Sequence, residues 1–160
     1  MRIRKFARHK SNQGYIAAKY PCVIMYFLLL IWLLLPWVYP FAWVLAFVFM
    51  FREKDSVYLR LHAAQTGLFL LIIGLICLLL RVSGDIVQLI AARSQNMTAV
   101  FEAAGKKAKL EEIADVLRFL AMPFLALEAF FAYPYRWLAF PLLGKAAELL
   151  EDKTRPGPLR

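Results

Sequence analysis

YLRLHAAQTGLFLLIIGLICLLL, residues Tyr58 to Leu80, sets polar groups at the mouth of a run that carries no charge from Ala63 to Leu80. That run approaches the roughly 20 apolar residues needed to cross a bilayer, and it predicts a membrane helix. With helix beginning at Ser56, the residues Tyr58, His62, Gln65 and Thr66 fall at i, i+4, i+7 and i+8, one polar stripe that enters the membrane. Hydrocarbon offers buried amide and imidazole groups no partner, so the stripe must face protein or water. On the same helix Ala63 and Gly67 form a small-xxx-small pair, and Gly74 follows two turns on, where a neighbouring helix can approach closely. The expected neighbour belongs to the same bundle; a second copy of the chain is the alternative.

The rest of the chain has the same character. Of its 160 residues 62% are hydrophobic and 19% charged, with a mean hydropathy of +0.59, against about 45–50% apolar content in soluble domains. The length leaves room for one small helical bundle and no separate soluble domain. The formal net charge of +9 comes from basic residues that flank the apolar blocks. There Lys and Arg fix topology and attract anionic headgroups, so membrane lipid is the expected partner and nucleic acid is not. Arg2, Arg4, Lys5, Arg8 and Lys10, in an arm of residues 1–20, and Arg136 near the other end are the candidate lipid contacts. The apolar run after the arm is too long for a signal peptide's core and ends in no cleavage site, so the arm is expected to stay in the cytoplasm. Cys22 and Cys77 lie inside apolar runs without a second Cys or His at ligand spacing; no metal site and no disulfide framework is expected.

From Pro21 to Phe51 the chain is again free of charge, and too long for one simple span. Pro36 and Pro40 divide this block, each removing a backbone donor. Two readings remain: one long kinked helix, or a hairpin of two short helices turning at PWVYP. Trp32, Trp37, Tyr39 and Trp43 cluster there, as an aromatic belt or as core packing. Residues 119–143 are apolar but interrupted by Pro123, Glu128, Pro134, Arg136 and Pro141, which predicts a bent span with breaks at Pro123 and Pro134. Its interfacial end is YPYRW, with Tyr133, Tyr135 and Trp137 at headgroup level. Ahead of it, Leu110, Ile113, Ala114, Leu117 and Leu120 form an apolar stripe of helical period, an amphipathic helix over about 107–118 that lies on the membrane, covers the bundle or docks a partner. Residues 146–160 form a polar tail expected to be disordered.

The fold class expected is therefore all-α: a polytopic bundle of about four transmembrane helices over 21–145, with segments at 21–35, 41–51, 63–80 and 119–143, plus the surface helix. The hairpin reading gathers most Lys and Arg with both termini, and so places both termini in the cytoplasm of a bacterial inner membrane. Glu128 stands about ten residues into its block, where an ionised carboxylate costs at least roughly 2.5–3.5 kcal/mol. Pairing with His62, Gln65 or Arg60, lining a wet path, or protonation would each account for it. No phosphate loop, metal cluster or nucleophile motif is present, so no catalytic residue and no cofactor is expected.

YPFAWVLAFVFMFREKDSVYLRLHAAQTGLFLLIIGL resembles the core of the Tic-twenty family, channel-type subunits of the chloroplast inner-envelope translocon, and its small prokaryotic relatives. In that family a proline-containing helix precedes a charged turn and an Arg-x-(His or Asn)-x-x-Gln signature, matched here by Arg60, His62 and Gln65. The closing Pro-x-x-Gly/Ser-x-Ala segment is similar to AFPLLGKAAELL, with Pro141, Gly144 and Ala147. The resemblance implies four membrane helices with both termini on the cytoplasmic or stromal side. It also implies a non-enzymatic subunit of a membrane complex, a channel-like component in protein translocation or membrane-protein assembly. An autonomous small transporter or proton-conducting protein is the alternative.

Overall fold

The computed structural model describes residues 2–7, 10–11, 17–35, 38–94 and 96–154. Strand β1 (Arg2–Lys5) is followed by helix α1 (Lys19–Leu34), a 3-10 turn (Tyr39–Phe41), α2 (Ala42–Arg52), α3 (Val57–Arg93), α4 (Met97–Ala132), strand β2 (Arg136–Ala139) and α5 (Pro141–Thr154). Among the described residues the chain is all-α apart from one antiparallel strand pair, in which Arg2 faces Ala139 and Lys5 faces Arg136.

Of the two readings of the first apolar block, the hairpin holds. α1 stops at Leu34, Pro40 sits inside the 3-10 turn, and α2 returns along α3. Pro36 lies outside the described residues. Close approach is made possible by glycine: a Cβ on Gly67 would meet the Phe47 ring at 2.9 Å, and one on Gly74 would collide with the backbone carbonyl of Pro40. Ala63 on the same face is fully buried. The small-residue face thus serves α2 and the turn before it.

α3 begins where Ser56 Oγ accepts the Leu59 amide at 3.2 Å, and α4 begins where Asn96 accepts the Thr98 amide at 3.0 Å, so a short link folds the two into an antiparallel hairpin. α3 is the helix among the described residues that is long and apolar enough to cross a membrane; α1 and the stretch Tyr39–Arg52 are apolar but shorter. Phe69 stacks on Phe124 with ring centroids 3.8 Å apart, and Cys77 donates to the Ala114 carbonyl at 3.4 Å. Beyond Arg81 the pair continues as a two-helix projection. There Lys107 reaches Asp85 at 2.8 Å, and this hydrogen bond raises the ammonium above its usual range.

Four expectations change. The amphipathic segment at 107–118 is not a separate surface helix but the middle of α4. Of its stripe Ala114 is buried and Leu117 packs against the core, with Arg118 beside it also buried, while Ile113 and Leu120 point outward. Pro123 does not break α4, which runs through it; Pro134 lies in the turn after α4, where Tyr135 takes a positive φ of 57°. The segment expected to span to residue 143 leaves helix at Ala132, and Trp137 is buried rather than at an interface. Of the polar tail, residues up to Thr154 are helical in α5; the rest lies outside the described residues.

Large apolar side chains cover the outside of the bundle. Phe27, Leu79 and Phe130 are 63%, 66% and 72% exposed. The inside meanwhile holds Arg60, His62, Gln65, Thr66 and Glu128. Water-soluble folds show the opposite arrangement.

Candidate functional site

The buried polar groups gather at one end of the bundle, where α3 starts, α4 ends and β2 passes between them. β2 uses one edge for β1. Along its other edge the carbonyls of Arg136 and Leu138 and the amide of Phe140 would stand unpaired in an apolar interior, at a cost of about 1–3 kcal/mol each. His62 and Gln65, one turn apart on α3, meet them. His62 Nε2 lies 3.1 Å from the Arg136 carbonyl, Gln65 Nε2 donates to the Leu138 carbonyl at 2.8 Å, and Gln65 Oε1 accepts the Phe140 amide at 3.4 Å. Two side chains on a helix thus take the place of a neighbouring strand.

Glu128, on the inner face of α4, is fully buried against the same two residues. Its Oε1 accepts from Gln65 Nε2 at 2.6 Å, and its Oε2 lies 3.2 Å from His62 Nδ1. Because His62 Nε2 faces a carbonyl, it carries a hydrogen. Tyr26 of α1 closes the cluster: its hydroxyl is 2.8 Å from His62 Nδ1, 3.1 Å from Thr66 Oγ1 and 3.4 Å from Glu128 Oε2. Tyr58, the first member of the stripe, donates to the Ala132 carbonyl at the last turn of α4 and lays its ring 4.7 Å from that of His62.

Arg60 works one level further out. It is 2% exposed, and its Nη1 donates to the carbonyls of Met50 at 3.2 Å and Glu53 at 2.9 Å, groups left open by the end of α2. Its Nε reaches Glu151 of α5 at 3.3 Å and its Nη2 donates to Thr154 at 2.8 Å. Glu53 in turn accepts the Ser56 amide at 2.9 Å ahead of α3 and a hydrogen bond from Ser11. The three signature residues therefore join α2, α3, α4, α5 and β2.

Of the partners proposed for Glu128, the structure supplies His62 and Gln65, whereas Arg60 pairs with Glu151. Glu128 also lies one turn from the end of α4, level with His62. In the closing segment Pro141 starts α5, a Cβ on Gly144 would meet Ala139 at 2.9 Å, and Ala147 is buried, so this face packs inward. Among the candidate lipid contacts, Arg8 lies outside the described residues. Arg4 pairs with Glu148 at 3.5 Å, Arg2, Lys5 and Arg136 belong to the strand pair, and Lys10 forms an isolated bridge with Ala17.

The sequence reading missed Tyr26, Glu53 and Glu151. Tyr26 had a signal, a hydroxyl alone in an apolar run; Glu151 had one too, two turns past Gly144 on a face of small residues. Among the described residues no group of three or more His, Cys, Asp or Glu side chains is placed to hold a metal. Comparison with protein-family models, curated proteins and solved structures gave no match.

Proposed function

We propose that the chain is a four-span integral membrane protein that acts as a non-enzymatic subunit of a membrane complex. The spans are α1, α2 with its 3-10 turn, the first part of α3 and the second part of α4. Arg60 and Arg81 bracket a charge-free stretch of α3 that amounts to about 20 residues, or roughly 30 Å of helix, the thickness of a hydrocarbon core. The apolar residues on the outside of the bundle face lipid in this reading. The distribution of Lys and Arg puts both termini on the cytoplasmic side and the projection of α3 and α4 on the other.

One observation carries the role. The polar cluster is sealed, with His62, Gln65, Thr66 and Glu128 at 0% exposure and hydrogen-bonded to protein. Such an arrangement sets helix register and anchors β2; it favours a rigid subunit over a relay that must exchange protons with water. The match of Arg60, His62 and Gln65 to the Tic-twenty signature supports a place in protein translocation or membrane-protein assembly.

Two experiments test this. Thiol labelling of single cysteines at Lys54 and Ser94, both exposed, should give opposite sides of the membrane; labelling of both from one side overturns the four-span topology. Purified protein in liposomes should conduct no more protons than empty vesicles, and in native membranes the chain should migrate within a larger complex. A pH-dependent flux abolished by His62→Phe, from a chain that migrates alone, would replace the subunit reading with autonomous transport.

A further inference from the structure

We infer that Tyr39, Arg81 and Arg118 form a binding site for the phosphate of an anionic phospholipid, at the end of the bundle opposite the polar cluster. The inference rests on the membrane reading above. Arg81 comes from α3, Arg118 from α4, and both guanidinium groups sit over the ring of Tyr39 in the 3-10 turn, 5.3 and 5.2 Å from its centroid. Arg118, 9% exposed, also lies 4.8 Å from the centroid of the Phe119 ring. The two cations share one anion: Asp115 Oδ1 is 3.2 Å from Arg81 Nη2 and 3.5 Å from Arg118 Nη2.

Asp115 answers one of the two guanidinium charges, so the contacting group of Arg81, Arg118 and Asp115 keeps one positive charge. Further along the two helices Lys107 reaches Asp85 at 2.8 Å and Glu111 at 3.9 Å, and takes no part in this group. Arg81 Nε, Arg118 Nε and the Tyr39 hydroxyl are buried without a hydrogen-bond partner, a concentration of donors that the protein itself leaves unanswered. Two convergent guanidinium groups offer parallel donors to the oxygens of a phosphodiester, a geometry a lysine pair lacks.

Position selects the source of that phosphate. Arg81 stands immediately after the charge-free segment of α3, at the level where headgroups begin in the four-span reading. Leu79 and Leu120, two residues from the arginines, are exposed and apolar on other faces of α3 and α4, where acyl chains would run in this reading. A soluble anion would gain nothing from that surface.

The test uses the full chain purified in dodecyl maltoside and native mass spectrometry, with phosphatidylglycerol, phosphatidylcholine and inorganic phosphate as separate probes. One phosphatidylglycerol should be retained about tenfold more strongly than phosphatidylcholine, and the preference should vanish in the variant Arg81→Gln with Arg118→Gln. Asp115→Asn, which frees both guanidinium groups, should strengthen retention and keeps the test decisive if the double variant does not fold. Equal retention of both lipids, an unchanged preference in the double variant, or no gain in Asp115→Asn overturns the site. Binding of inorganic phosphate as strong as that of the lipid also overturns it, in favour of a free-anion site. Carbonate extraction separates this inference from its premise. A chain released from membranes fails the membrane reading itself, whereas a chain that stays without lipid preference fails the site alone.

Discussion

Gln65→Leu removes the amide that joins β2 to α3 while keeping most of the side chain's bulk. Glu128 then loses a donor at 2.6 Å, the Leu138 carbonyl loses one at 2.8 Å, and the Phe140 amide loses an acceptor at 3.4 Å. An orphaned buried group costs about 1–3 kcal/mol, so three of them set a ceiling of roughly 3–9 kcal/mol. The Phe140 bond is long and contributes least. Membrane proteins also recover part of such losses in their unfolded state, where measured side-chain bonds average about 0.6 kcal/mol. The expected destabilisation is therefore about 2–4 kcal/mol. Reversible unfolding in mixed detergent and dodecyl sulfate micelles, followed by circular dichroism, reads this directly. Hydrogen exchange supplies the local check: the Phe140 amide should lose protection while amides in the middle of α3 keep theirs. A change below about 0.5 kcal/mol with unaltered exchange at Phe140 would refute the view that Gln65 substitutes for a strand.

Arg60→Met should cost about 3–5 kcal/mol, since it leaves Glu151 buried without its partner, and adding Glu151→Met should return most of that loss in the same unfolding assay. Three glycine substitutions should rank by surroundings in melting temperature: Gly74→Ala, against the Pro40 backbone, falls most. Gly67→Ala, against a movable Phe47 ring, falls less, and Gly105→Ala, in open space, gains up to about 1 kcal/mol from helix propensity. His62→Phe keeps the ring contacts with Tyr58 and Tyr26 but abandons the Arg136 carbonyl. It should cost about 1–3 kcal/mol and, in a double-mutant cycle with Glu128→Gln, show coupling of at least about 0.5 kcal/mol.

The break in the first apolar block was legible because proline acts locally, whereas the choice between hairpin and kinked span came only with the packing of α2 on α3. The start of α3 was legible too, where the EKDS turn supplies a cap and the polar stripe follows at helical spacing. The pairing of Glu128 with His62 and Gln65 could be reached as one of several options, because an unpaired carboxylate in hydrocarbon narrows the choice. What stayed hidden depended on distant partners. RIRK and RWLA are too short and too mixed to announce strands; they become strands because each supplies the other's backbone partners. The apolar stripe through Leu110 and Leu120 had the right period, but it is divided in the fold: Ala114 and Leu117 pack inward while Ile113 and Leu120 point out, a split that depends on where α3 lies. Tyr39, Arg81 and Arg118 belong to three elements, and only the folded hairpin brings them to one ring.

The pairing of β1 with β2 also fixes an order of events. Synthesis delivers α1, α2 and α3 before α4, and Arg2 must wait for Ala139 to exist before it can pair. During that interval Tyr26, His62 and Gln65 already stand on α1 and α3, while Glu128 and the β2 backbone that will answer them have not yet been made. The most polar face of the half-built protein is then open, and in the four-span reading it stays open toward lipid until α4 arrives to close the seam.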